Sequence, residues 1–65
     1  MSIHKTAIIK DGAILADDVE IGPYTIIDSN VVIGKGTIVE SHTLIEGYTT
    51  IGENNHIFSH AVLGT

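Results

Sequence analysis

From Ile3 onward, every sixth residue of the chain is a branched aliphatic, with no skip or insertion. Ile, Leu and Val make up about three in ten residues, so eleven hits in one register would arise by chance on the order of a few times in a million. A helix would space its apolar residues by three and four, and a long strand would alternate every two. A period of six therefore predicts a repeat protein whose unit is one short strand and one turn. The register comprises Ile3, Ile9, Leu15, Ile21, Ile27, Ile33, Val39, Ile45, Ile51, Ile57 and Leu63.

The other positions of the hexad agree with this unit. Counting the register residue as position one, position five is small or β-branched in every repeat except at Asn55. Positions two to four hold all seven glycines, and Gly, Asn and Asp tolerate the positive φ of a tight corner. Positions five, six and one are therefore predicted to form each strand, with five and one pointing inward and six outward. Asn55 is expected to lie inside, where its amide would need a hydrogen-bond partner.

Composition limits the class of protein. Sixty-five residues form one unit, and the chain contains no cysteine and no apolar run long enough to span a membrane. The first residues lack the apolar core of a signal peptide, so we expect a cytoplasmic location and no membrane insertion. The net charge is −5, with three lysines and no arginine, which argues against nucleic acid as a partner.

Three stretches carry a resemblance to a known family: IHKTAIIKDGA at 3–13, VEIGPYTIID at 19–28 and SHTLIEGYTTIGENNHIFSHAVLGT at 41–65. They resemble hexapeptide-repeat acyltransferases, and in particular the bacterial UDP-N-acetylglucosamine O-acyltransferases. The resemblance implies an all-β fold, a left-handed parallel β-helix with three hexads per turn and about 3.5 coils in this chain. The whole chain is covered, but only about the first quarter of such an enzyme. Residues 1–65 are therefore expected to be a single β-helix unit, the N-terminal fragment of a longer enzyme.

Members of that subfamily move a 3-hydroxyacyl chain from acyl carrier protein to UDP-N-acetylglucosamine, the first step of lipid A biosynthesis. Their catalytic histidine and most substrate contacts lie in later coils, so the resemblance assigns no catalytic residue to this chain. It implies no cofactor. The 65-residue chain alone is expected to be inactive.

Three hexads per turn would stack residues that are 18 apart, about 4.8 Å from each other. Tyr24, His42 and His60 then form one corner column, either as a ladder of stacked rings on the surface or as the lining of a groove for a substrate or neighbouring subunit. They are the candidates for a substrate cleft. A zinc site needs at least three well-placed ligands, and His56 falls outside this column, so no metal site is predicted.

The outward position six gives one unbroken apolar column, formed by Ile8, Ile26, Leu44 and Val62. Four aliphatic side chains in a row indicate a surface that covers a partner, although β-branched residues also simply suit strands. The family forms trimers whose prisms pack side by side, so the resemblance implies a homotrimer with this column as the subunit interface. The carboxylates fall at corners, where a solvated rim is their expected role.

Two other interpretations remain open at this point. The chain could be a truncated or engineered β-solenoid whose only activity is self-association. It could also be another hexapeptide-repeat enzyme, such as an acetyltransferase or a γ-class carbonic anhydrase. Bound zinc would favour the carbonic anhydrase, and continuing hexads with a downstream histidine would favour the O-acyltransferase.

Overall fold

The computed structural model describes residues 2–64, which form eleven short β-strands and no helix. Each strand consists of a position-six residue followed by the position-one aliphatic, so the strands are one residue shorter than the predicted span of positions five, six and one. Position six points outward and position one inward, because successive side chains of a strand alternate. The strands are β1 (Ser2–Ile3), β2 (Ile8–Ile9), β3 (Ile14–Leu15), β4 (Glu20–Ile21), β5 (Ile26–Ile27), β6 (Val32–Ile33), β7 (Ile38–Val39), β8 (Leu44–Ile45), β9 (Thr50–Ile51), β10 (His56–Ile57) and β11 (Val62–Leu63).

Each strand from β1 to β8 pairs in parallel with the strand three places later, at a register shift of 18 residues. Three sheets result: face 1 contains β1, β4, β7 and β10, face 2 contains β2, β5, β8 and β11, and face 3 contains β3, β6 and β9. The described residues thus make three full coils and two strands of a fourth, and their Cα atoms span 21 × 20 × 20 Å. The predicted three-sided parallel solenoid is confirmed.

Inward residues of the middle coils form the core. Ile27 and Ile45 are completely buried, and Ile21, Ile33 and Ile51 are buried as the register predicts. Burial decreases toward the first coil, where Ile9 and Leu15 are only half-buried and Ile3 is 40% exposed. The reason is geometric, because an inward side chain is covered by the coils above and below it, and the first described coil has a neighbour on one side only.

The second inward row, position five, contains buried threonines as well as the buried Val19 and Val31, and the threonines were not predicted to have a specific role. Thr25, Thr37 and Thr43 at position five are fully buried. The Thr25 hydroxyl donates to the Glu40 carbonyl at 3.0 Å, and the Thr37 hydroxyl donates to the Gly52 carbonyl at 2.9 Å. Each hydrogen bond joins one coil to the next. These hydroxyls therefore satisfy corner carbonyl groups that have no partner in the β-sheets.

The expectation that Asn55 is buried was wrong. Its side chain is exposed, and its Nδ2 donates only a long 3.4 Å bond to the Glu53 carbonyl. Within residues 2–64 no further coil covers it, whereas Thr37 below it in the same column is enclosed on both sides. The Asn55 backbone N–H instead caps that column by donating to the Thr37 hydroxyl at 3.3 Å.

The corners use glycine in two different ways. At position four of the corners after faces 2 and 3, Gly12 and Gly36 take φ values of 100° and 72°, the left-handed region that suits glycine. Gly22 and Gly34 at position two have no positive φ. At these positions a Cβ would lie 2.9 Å from backbone atoms of the coil above, so close approach of the chain requires glycine there.

Candidate functional site

The corner between face 1 and face 2, which we call the ring corner, brings together the three residues predicted to form one column. The rings of Tyr24 and His42 have centroids 5.2 Å apart and are tilted by 30°, and those of His42 and His60 are 5.0 Å apart and nearly parallel at 7°. All three side chains are exposed, with Tyr24 at 62%. The predicted column is confirmed, and its rings are spaced by one coil each.

The backbone of the ring corner is left-handed at each ring. Tyr24, His42 and His60 have φ values of 56°, 57° and 65°, in a region that non-glycine residues occupy uncommonly. Hydrogen bonds between coils hold this geometry: the Tyr24 N–H donates to the Thr6 hydroxyl at 3.0 Å and the His42 N–H donates to the Pro23 carbonyl at 2.9 Å. The rings therefore project from a fixed and strained backbone.

Face 2 begins immediately after the ring corner and carries the predicted apolar column. Ile8, Ile26, Leu44 and Val62 are aligned in parallel register across four strands. Ile8 is 54% exposed, Ile26 is 37% exposed and Val62 is 58% exposed, while Leu44 is half-buried. The structure thus places a continuous aliphatic surface directly beside the ring column.

On the other side of the ring corner, a groove of about 490 Å³ runs along face 1. Its lining is largely apolar and includes Ile38 and Pro23, with Glu20, Glu40 and Ser59 among the polar residues. The sequence did not predict this groove. The spacing of 18 residues predicts only which residues stack directly in successive coils. The groove is formed by residues of face 1 together with residues of the adjoining corner, which are not related by that spacing.

One wall of the groove contains a polar network centred on Glu40. Its two carboxylate oxygens are contacted by Nε2 of His56 and by the Ser59 hydroxyl, which donates at 3.1 Å. The His56 ring also stacks on Phe58, with centroids 4.5 Å apart. Hydrogen bonds from His56 and then Ser59 hold the pKa of the Glu40 carboxyl below its ordinary value. Glu40 is thus part of a specific contact between successive coils, rather than only a solvated rim residue as predicted.

This network does not form a nucleophilic site. The Ser59 hydroxyl donates to the Glu40 carboxylate and not to a histidine, and a carboxylate whose pKa is lowered is a poor base for removing a serine proton. Within residues 2–64, no group of three or more His, Cys, Asp or Glu side chains is arranged to hold a metal ion. None of the same residues form a helix that could cross a bilayer.

Comparison with known proteins identifies the family of this chain. The profile of the family described as bacterial transferase hexapeptide (six repeats) matches residues 1–35 and 12–47. The chain belongs to this family. An acyl-[acyl-carrier-protein]–UDP-N-acetylglucosamine O-acyltransferase from Aliarcobacter butzleri is 69% identical over 64 residues, which cover 98% of this chain and 25% of that protein. A protein of the same name from Syntrophobacter fumaroxidans is 52% identical over 64 residues, again 98% of this chain and 25% of the relative.

A solved structure gives the same result for the fold. LpxA from Acinetobacter baumannii superposes with a TM-score of 0.85 at 54% identity, covering 88% of this chain and 22% of that one. The predicted left-handed parallel β-helix is confirmed by this likeness. The chain spans about a quarter of the length of the curated relatives it matches. The resemblance seen in the sequence, to the N-terminal coils of the O-acyltransferases, is therefore confirmed as well.

Proposed function

We propose that this chain forms the N-terminal coils of an enzyme that transfers a 3-hydroxyacyl chain from acyl carrier protein to UDP-N-acetylglucosamine in the cytoplasm. The observation that carries the proposal is the 69% identity to a relative of that name over nearly the whole chain. In this role the coils are a scaffold, because within residues 2–64 the Ser59 hydroxyl is paired only with the Glu40 carboxylate, whose lowered pKa makes it a poor general base. Acyl carrier protein and the nucleotide sugar are the substrates of the whole enzyme, which requires further coils.

A chimera tests this proposal. The matching 64-residue stretch of the Aliarcobacter butzleri relative is replaced by that of this chain, and acyl transfer is measured. We expect the chimera to retain transfer, because the exchanged stretches are 69% identical over 64 residues. A second chimera carrying Ile27→Asp places a charge in the core and should fail to fold. A folded first chimera without activity would contradict the proposal, as would turnover by the isolated chain.

We further propose that the aliphatic column on face 2 is the subunit interface of a homotrimer. A continuous row of Ile8, Ile26, Leu44 and Val62 is a large apolar surface for so small a unit, and burial of this row against another copy would remove it from water. Tyr24, His42 and His60 would then line the rim of the cleft between subunits. Substitution of His42 or His60 by Ala in the chimera should reduce activity only modestly, because these rings would border the substrate rather than react with it.

Sedimentation of the chain at micromolar concentration tests the interface. Leu44→Glu together with Ile26→Glu should dissociate the assembly while the β-type circular dichroism remains, because both side chains point away from the core. Thr50→Glu, which changes an outward residue on face 3, is the matched control and should leave the assembly intact. A monomeric wild-type chain, or an assembly that survives the double substitution, would exclude face 2 as the interface.

A further inference from the structure

The four histidines of the chain fall into two pairs with different surroundings. His4 Nδ1 is engaged by the Thr6 hydroxyl at 2.9 Å, and His56 Nε2 is engaged by the Glu40 carboxylate. Among residues 2–64, no hydrogen-bond partner is found for a ring nitrogen of His42 or His60. Both of these rings are exposed, and they lie parallel with centroids 5.0 Å apart. The ring corner therefore presents two imidazoles side by side whose nitrogens are available to a ligand.

We propose that His42 and His60 form a two-imidazole site for a borderline divalent transition-metal ion such as Zn²⁺, with water completing the coordination. Neutral imidazole is a preferred ligand of zinc, copper and nickel, whereas magnesium and calcium prefer oxygen. The net charge of −5 adds a general attraction for cations. The sequence alone did not predict a metal site because no third protein ligand is present. The structure adds the alignment of the two rings and the absence of competing hydrogen bonds within residues 2–64.

The site forms when the two rings turn toward a common point. Their planes are nearly parallel, at 7°, so the in-plane nitrogen lone pairs run side by side. Two nitrogens that each bind one ion at about 2.0–2.1 Å can be at most about 4.2 Å apart, so both rings must rotate until their lone pairs converge within that limit. The χ2 torsion of histidine has broad minima, and exposed rings can turn about it without displacing the core. The backbone contributes preorganisation, since His42 and His60 have nearly the same φ and are tied to neighbouring coils through Pro23 and Ser41.

The test is an NMR titration of the 65-residue chain with ZnCl₂, followed through the imidazole C–H resonances of the four histidines. We expect the resonances of His42 and His60 to shift together and to saturate at one ion per chain. The resonances of His4 and His56 should respond weakly, and MgCl₂ should have no effect. Acidification should release the ion, because protons compete for the same lone pairs.

Substitution by asparagine provides variants that keep the fold. Asparagine tolerates a left-handed backbone and already occupies φ 57° at Asn54, position four of another corner. His42→Asn or His60→Asn should weaken Zn²⁺ binding by about tenfold or more, since even residues outside the first ligand shell change metal affinity by that factor. His4→Asn and His56→Asn are the matched controls and should leave binding unchanged. Equal responses of all four histidines, or unchanged affinity in His42→Asn, would show adventitious binding and overturn the proposal.

Discussion

The stability of this fold should depend on how many coils enclose an inward side chain. Ile9 and Ile27 occupy the same inward column of face 2 and differ by one coil. Ile27 is completely buried, and Ile9 is half-buried because it lies in the first described coil. The two positions share side chain, strand position and face, so a comparison between them isolates the effect of enclosure.

The expected cost follows from the atoms removed. Ile27→Ala deletes three carbons at about 0.8 kcal/mol each, and the cavity left in a rigid column raises the total to about 3–4 kcal/mol. Ile9→Ala deletes the same atoms, but they are already partly hydrated and leave no closed cavity, so we expect about half that cost. A 65-residue chain has a stability of about 3–10 kcal/mol, which means that Ile27→Ala alone could unfold it. Ile27→Val and Ile9→Val, at about 1 and 0.5 kcal/mol, provide a gentler pair.

Urea unfolding followed by far-UV circular dichroism measures these costs. All variants are compared at one protein concentration, because self-association would add to the apparent stability. The free energy of unfolding should fall more at Ile27 than at Ile9 for both substitutions. Equal costs at the two positions, or a larger cost at Ile9, would refute the argument that enclosure by successive coils holds the solenoid together.

Two further predictions concern polar groups. Thr37→Val should lower the free energy of unfolding by about 1–2 kcal/mol, as measured by urea unfolding. The substitution removes the hydrogen bonds to the Gly52 carbonyl and from the Asn55 N–H, and it adds one buried methyl group. An unchanged free energy of unfolding would show that these bonds contribute nothing. Because contact with His56 lowers the pKa of Glu40 in the folded chain, this carboxylate stabilises the fold above its ordinary pKa near 4.5, and that stabilisation is lost as the pH falls through the lowered value. Glu40→Gln should therefore be less stable than wild type at neutral pH, with the difference shrinking in acid, and a difference independent of pH would contradict this.

The hexad register predicted the solenoid architecture because the position-one residues alone determine which side of each strand is buried. Position one is buried in every middle coil, and that row alone specifies which side of each strand faces inward. The three-sided stacking came from the family resemblance, and it then placed Tyr24, His42 and His60 in their observed column. The register did not predict that Asn55 and Ile3, which share the inward pattern, are exposed, because within residues 2–64 no second coil encloses them.

The 18-residue repeat predicts contacts between residues that stack directly on one another, but not contacts between residues at diagonal positions. Glu40 and His56 are 16 residues apart, and the stacking rule compares only residues that are 18 apart. The reach of a long side chain across one corner brings them together. The same holds for Thr37, whose hydroxyl bonds a carbonyl 15 residues ahead. A diagonal rule that compares corner and strand positions of successive hexads would have found both contacts.

The left-handed backbone of the ring corner bears on where function lies. At other corners, position four takes a positive φ at Gly12, Gly36 and Asn54, and glycine and asparagine tolerate that conformation. At the ring corner, position four carries Tyr24, His42 and His60 instead. The left-handed conformation costs a non-glycine residue about 1–2 kcal/mol of conformational free energy. The two ring contacts return about 0.5–1.5 kcal/mol apiece, which offsets only part of that cost. The part of the cost that the ring contacts do not offset supports the proposal that the ring column faces a partner or substrate.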